Sequence, residues 1–284
     1  MSNACSVSKA IEKQTILGKS TQYVDTYKPE LLFPIARELG RASLALKTFI
    51  GYDLWRLYEV TWLDQNGLPH VAFGTLKVPA TSPSIVESKS LKLYVGSFTQ
   101  SIFDSIEAVA KTMEKDISAA LETPVEVSLT ELNALTPEVM SLQSPEGINL
   151  EQTYGAQLTC TEYEVTPALL KVNPETHVSE VVHSNLLRSR CPVTGQPDHA
   201  TVTIAYTGPE LDKAALLAYI VSYRHHQGFH EQCAEQIFSD LSTLASFKEL
   251  TVSCSFTRRG GIDISPVRSS KLELISTPKR TPRQ

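Results

Sequence analysis

Two runs of β-forming residues, Tyr52 to Asp64 and His70 to Val78, are separated by Gln65-Asn66-Gly67. Asn-Gly between two such runs is a strong signal for a hairpin of antiparallel strands, because its turn needs positive φ. The rest of the chain reads outward from that hairpin. Residues 1–30 are polar and irregular, and Leu31 to Phe49 is apolar except at Pro34. Pro79 to Pro83 is loop, and Glu87 to Tyr94 reads as a charged edge strand with Lys89 and Lys92 on opposite faces. Apolar residues at 103, 106, 110, 113, 117 and 121 step by three and four, as in a helix. Pro124 ends it, and Val125 to Leu129 is a further strand.

A connector rich in Pro, Gly, Ser and Gln, Pro137 to Ala156, precedes a similar order of elements. Val178 to Leu187 and Ala200 to Tyr206 read as strands, and Pro209 to Tyr223 and His230 to Leu244 as helices. Pro209 suits the first helical position. Lys248 to Thr257 is a strand, stopped by Gly260-Gly261. Each half is strand–strand, helical segment, strand, which indicates antiparallel α+β halves. The expected division is 1–140 and 141–284.

Composition narrows the function classes. Two hundred and eighty-four residues allow one large domain or two small ones. A net charge of −5 argues against a phosphate-backbone binder, and the basic tail Lys279, Arg280, Arg283 is too short and loose to change that. The longest purely apolar run, Ala214 to Val221, is far short of the ~20 residues that span a bilayer. Met1 to Lys13 lacks the apolar region of a secretory signal. Five cysteines with no CxxC pair favour a reduced cytosolic setting, with neither a disulfide framework nor a four-cysteine zinc site.

Cys191 lies in Arg190-Cys191-Pro192-Val193-Thr194-Gly195-Gln196-Pro197-Asp198, where prolines and a glycine force a loop between strands. Such a thiol is either a small buried hydrophobe or a nucleophile, with Arg190 favouring thiolate and Asp198 able to hold a proton. Cys160, Cys233 and Cys254 read as core. Arg224 to Glu231 gathers His225, His226 and His230 beside an acid. These are solvated histidines, a metal site lacking the HExxH pattern, or an acid/base at His230 with Glu231 anchoring a guanine-like edge. Arg258-Arg259-Gly260-Gly261 suits a phosphate clamp. Neither GxGxxG nor a P-loop occurs.

Together, Glu87-Ser88-Lys89-Ser90-Leu91-Lys92-Leu93-Tyr94 and five further stretches resemble the NADPH-dependent 7-cyano-7-deazaguanine reductases, the nitrile reductases of queuosine biosynthesis. The similarity extends over Tyr27 to Arg37, Gly51 to Trp62, Ser184 to Asp198, Val221 to Leu241 and Arg258 to Ser265. The order of the motif and Cys191 resembles the long, two-module form of this tunnelling-fold (T-fold) family, with antiparallel sheets and helices on one face.

The resemblance implies that Cys191 adds to the nitrile as a thioimide, with Asp198 and His230 as proton donors, and that two NADPH are consumed as substrate. It implies that Glu87 and Glu231 hold the deazaguanine beside Ser88 and Phe229. Ser88, Lys89, Ser90, Lys92, Arg258, Arg259 and Gly260 would hold NADPH. It further implies a cytoplasmic homodimer with no metal and no direct nucleic-acid or membrane partner. His226 to Phe229 and Ser265 to Val267 vary near matched positions, which bears on nucleotide preference. The rival readings are a cysteine-dependent nitrile or amide hydrolase, a non-catalytic purine-binding T-fold protein, and a metal-dependent cyclohydrolase.

Overall fold

The computed structural model describes residues 23–137 and 141–284. Most of the polar stretch expected over 1–30 lies outside the described residues, as does Cys5. In chain order the elements begin with β1 (Pro34–Ala36), α1 (Glu38–Arg41), β2 (Ile50–Leu63), β3 (Pro69–Pro79) and β4 (Ser84–Val86). Next come α2 (Ser88–Gly96), α3 (Ile106–Leu121), β5 (Glu126–Glu131), β6 (Ile148–Asn149) and α4 (Leu150–Tyr154). The remainder is β7 (Val172–Arg190), β8 (Pro197–Leu211), α5 (Lys213–Val221), α6 (His230–Leu244), β9 (Glu249–Phe256) and β10 (Ile262–Ser269). The pairs β1–β4, β3–β5, β7–β8, β8–β9 and β9–β10 are antiparallel and the short contact of β6 with β7 is parallel, so the architecture is the α+β expected.

The chain forms two compact units. Unit 1 comprises residues up to Leu39, Asp53–Ser141 and Arg258–Ile264; unit 2 comprises Gly40–Tyr52, Leu142–Thr257 and Ser265–Gln284. Strands β2 and β10 each change unit part way along.

In unit 1 the Asn-Gly hairpin forms as read. Gly67 has φ +79°, and the Asp64 carboxylate accepts the N–H groups of Asn66 and Leu68 at 2.8 and 2.9 Å. Its pKa falls mainly through the backbone bond from Leu68. β5 joins β3 with Ala72 opposite Glu131 and Lys77 opposite Glu126. Trp55, Leu57, Val60 and Trp62 of β2 form a buried cluster with Leu91, Tyr94 and Val95 of α2 and Val109, Met113, Ile117 and Leu121 of α3. The expected stripe on α3 is off by one at a single position, Val109 being buried where Ala110 was expected.

The edge-strand reading of Glu87 to Tyr94 is corrected: this stretch is α2. Leu91, Tyr94 and Val95 recur at helical spacing and are buried, and Glu87 supplies the cap.

In unit 2, β7 and β8 form a long hairpin running from Val172 opposite Leu211 to Arg190 opposite Pro197. β9 pairs with β8 on its other side, and β10 with β9. Ala200, Val202, Ile204 and Tyr206 are buried on one face of β8, as are the apolar faces of α5 and α6. α6 has the bounds read from sequence, but Pro209 does not open a helix. β8 continues through it to Leu211, and Asp212 caps α5 by accepting from Ala215 N–H at 3.0 Å. The connector over Pro137 to Ala156 contains β6 and α4. The tail is not loose: Thr281 is buried, and Arg280 accepts from Gln143 N–H at 2.8 Å.

Candidate functional site

The Glu87 motif and the double arginine both belong to unit 1. Glu87 is fully buried at the N-terminus of α2, where its two oxygens accept the N–H groups of Lys89 and Ser90 at 2.7 and 2.8 Å. Burial raises its carboxyl above the usual range, and the two amides pull it back part way. Ser90 is also buried; its hydroxyl donates to the Glu87 carbonyl and accepts from Phe33 N–H, so it braces the motif. Ser88 and Lys92 are exposed and Lys89 is half-buried on this helix.

Arg258, Arg259 and Gly260 are exposed in the turn before β10. Arg259 and Ile262 exchange both backbone hydrogen bonds across that turn, and the Arg258 guanidinium lies over the Tyr58 ring at 4.6 Å. Tyr58 in turn donates to Asp263 at 2.5 Å, and Arg56 pairs with the same carboxylate at 3.0 Å. Gly260 has φ +58°, and a Cβ there would stand 2.4 Å from Lys92 Nζ. The glycine thus lets the Lys92 ammonium close on the turn that carries Arg258 and Arg259, a donor set that suits phosphate groups.

Cys191, Asp198, Phe229, His230 and Glu231 belong to unit 2. Cys191 is half-buried where β7 turns back into β8. Its N–H donates to Gln196 O at 2.8 Å, its carbonyl accepts Gly195 N–H at 3.0 Å, and Gly195 has φ +67°. The preceding residue, Arg190, exchanges backbone bonds with His226 and Gly228. The loop holding Cys191 is therefore clamped on both sides.

Asp198, nearly buried, lies at the start of β8 with Oδ2 3.6 Å from His230 Nε2. The His230 ring stacks on Phe256, centroids 3.9 Å apart, which fixes its plane. His230 opens α6, and Phe229 N–H donates to the Gln232 side chain at 3.0 Å, so the carboxamide closes the helix end. Glu231 lies in the first turn, nearly buried. Further along α6, buried Glu235 takes Arg41 at 2.6 Å and Arg268 at 2.8 Å, anchoring the helix that carries these residues.

The remaining thiols divide. Cys233 and Cys254 are buried, and burial pushes the Cys233 thiol up to about 12 and Cys254 well above the ordinary range, so neither is a thiolate at neutral pH. Cys160 is corrected: it is half-buried in an irregular segment, not in a core strand. His226 is held down at about 4 by burial, and its Nε2 has no hydrogen-bond partner. Among the described residues no three His, Cys, Asp or Glu cluster as metal ligands would. No helix there is long and apolar enough to cross a membrane.

Sequence reasoning missed the supports: Phe256 beneath His230, Tyr58 beneath Arg258, and Glu235 with its two arginines. It also missed a cavity of about 270 Å³ in unit 2, lined by Thr203, Thr251, Ser253, Ser255 and Thr277 among others. None of the expected site residues lines it.

The family described as "Nitrile reductase, 7-cyano-7-deazaguanine-reductase N-term" matches residues 23–129, and "QueF-like protein" matches residues 197–273. A protein of Dechloromonas aromatica named NADPH-dependent 7-cyano-7-deazaguanine reductase is 49% identical, over 89% of this chain and 89% of its own length. Proteins of the same name from Paraburkholderia phymatum and Burkholderia ambifaria are each 45% identical, covering 91% and 94% of this chain and 94% and 97% of their own.

Proposed function

Because the chain belongs to the 7-cyano-7-deazaguanine reductase family, we propose that it reduces the nitrile of 7-cyano-7-deazaguanine to the aminomethyl group in queuosine biosynthesis, with NADPH as the reductant. The observation that carries the mechanism is in unit 2: a half-buried cysteine at a clamped hairpin turn, with Asp198 and His230 3.6 Å apart in that unit. Cys191 adds to the electrophilic nitrile carbon, and Asp198 provides the proton that the nitrogen takes up as negative charge develops. The product is a thioimide, more readily reduced than a nitrile. When bound, NADPH supplies hydride, one for the thioimide and one for the imine left after Cys191 departs. His230 serves as proton donor in these steps, its plane held by Phe256.

Glu87 and Glu231 are assigned to the N–H groups of the deazaguanine ring, beside Ser88 and Phe229. Ser88, Lys89, Lys92, Arg258, Arg259 and Gly260 are assigned to NADPH, a reading supported by the close approach of the Lys92 ammonium to Gly260 beside the two arginines. Ser90 serves this group from behind, through its bonds to Glu87 and Phe33. The family reading also includes the T-fold, two tandem modules divided near residue 140, a homodimer and a cytoplasmic setting.

Intact mass after mixing the protein with 7-cyano-7-deazaguanine and no NADPH tests the covalent step. The expected result is an increment equal to the nitrile, absent in Cys191→Ala and slower to form in Asp198→Asn. No increment in the wild-type protein would sink the thioimide. Turnover without NADPH consumption would instead indicate a hydrolase.

A further inference from the structure

Four arginines and a histidine gather in unit 2, and among the described residues no carboxylate pairs with any of the four guanidinium groups. Arg188 and His199 stand opposite each other across β7 and β8, so their side chains share one face of the hairpin. Arg190, two residues beyond Arg188, is on the same face. Arg283 reaches this pair from the C-terminal segment, donating to the carbonyls of Asn185 and Ala200. Arg188 donates to the backbone carbonyl of Arg224, and the Arg224 charge is near enough to act on both Arg188 and His199.

The nearby acids are committed elsewhere. Glu164 pairs with His225 at 3.3 Å and Glu151 accepts from Asn185 at 2.9 Å. Asp198 stands opposite Ser189, on the other face of the hairpin, where it meets His230. Among the described residues no ion pair joins Arg188, Arg190, Arg224 or Arg283 to an Asp or Glu. The crowding has an electrostatic consequence. Burial and then Arg283, Arg188 and Arg224 lower the His199 imidazole below its ordinary value, against a weaker upward pull from Asp198 across the strand. Arginine cannot relieve such repulsion by losing a proton, whereas an anion seated among the guanidinium groups can relieve it. A tetrahedral oxyanion matches forked donors arriving from several directions.

We propose that Arg188, Arg190, Arg224, Arg283 and His199 form a phosphate-binding site on the face of the β7–β8 hairpin turned away from Asp198. The phosphate belongs either to the dinucleotide cofactor or to a free phosphate anion. Arg188 precedes Cys191 by three residues, about 10 Å along an extended strand, a span that the riboses and phosphates of a dinucleotide cover. Only the cofactor source rests on the reductase reading; the anion site does not.

The test follows the His199 ring proton by NMR in the full chain, assigned with His199→Gln, while inorganic phosphate or NADP⁺ is added. Phosphate should raise the His199 titration midpoint, and the rise should vanish in Arg188→Gln/Arg224→Gln but persist in part in Arg188→Lys. If the cofactor is the source, NADP⁺ acts at lower concentration than phosphate. The KM for NADPH then rises about tenfold in Arg188→Gln, the loss of one charge-assisted contact, with kcat and the Cys191 mass increment unchanged. If free phosphate is the source, the His199 response remains and KM does not move. A wild-type His199 indifferent to both anions overturns the site even while NADPH is being oxidised. A response to phosphate in a protein that never oxidises NADPH overturns the reductase and leaves the site standing. Tighter, steeply salt-dependent binding of a short RNA through Arg188 would overturn the small-anion assignment.

Discussion

Glu87 in unit 1 and Glu231 in unit 2 are both carboxylates at the beginning of a helix, and they differ in how much of the helix depends on them. Glu87 is itself the cap: both oxygens hold backbone amides of α2, and the residue is fully buried. Glu231 lies one step inside α6, whose end is closed instead by the Gln232 carboxamide, and the helix is anchored further along by Glu235. Unit 1 therefore fuses a structural duty with the proposed recognition of substrate, and unit 2 separates the two.

The largest expected effect tests that separation. Glu87→Ala should lower unfolding free energy by about 1–2 kcal/mol through the lost cap and abolish ring recognition as well. Glu231→Gln should raise the substrate KM about tenfold while leaving the urea midpoint close to wild type. Equal losses of stability in the two variants would erase the distinction.

Acid should also tell the units apart, because six of the seven histidines belong to unit 2 and only His70 to unit 1. His226 is half-buried with Nε2 shielded and takes a proton only near pH 4, whereas an unfolded histidine takes one near 6.5. Between those values the unfolded chain binds more protons. The stability His226 confers is thus complete above about pH 6.5 and lost as pH falls toward 4, on the order of 3 kcal/mol. Urea unfolding at pH 7 and 4.5 should show that decline, and His226→Leu should flatten it. A slope unchanged in the variant would assign the acid sensitivity to other groups.

The smallest effect belongs to unit 1. Gly260→Ala places a methyl 2.4 Å from Lys92 Nζ at a backbone with φ +58°. The lysine end can swing away, so the expected outcome is a rise of about threefold in the NADPH KM, under 1 kcal/mol of binding, with kcat retained. An unchanged KM would remove Gly260 and Lys92 from the cofactor's contacts.

What could be read from sequence was what local chemistry decides. Asn66-Gly67 forces its hairpin whatever surrounds it, and Gly260-Gly261 makes the turn that precedes β10 through positive φ at both residues. The Glu87 motif does not look helical in sequence because glutamate is not among the favoured caps and because Lys89 and Lys92 interrupt the apolar spacing of Leu91, Tyr94 and Val95. Pro209 misled in the opposite direction, since proline suits a helix start but is tolerated in β8, where the cross-strand partner is His177. The approach of Asp198 to His230 depends on long-range folding, as does the arginine cluster drawn from positions 188, 190, 224 and 283. Neither leaves a mark at any single stretch of sequence. Cys191, Asp198 and His230 were nominated by turn context and family likeness; only the fold put the last two face to face.

The interleaving of the two units along the chain has a consequence for synthesis. Unit 1 needs residues 258–264 and unit 2 needs both 40–52 and 265–284, so neither can finish while the ribosome is still working through the middle of the message. Arg41 waits for Glu235 and then for Arg268 before the buried triad can close, a loop whose closure entropy must be met before its contacts repay it. By contrast, the clamp on the Cys191 loop, made by Gln196, His226 and Gly228, needs only the next 37 residues of the message.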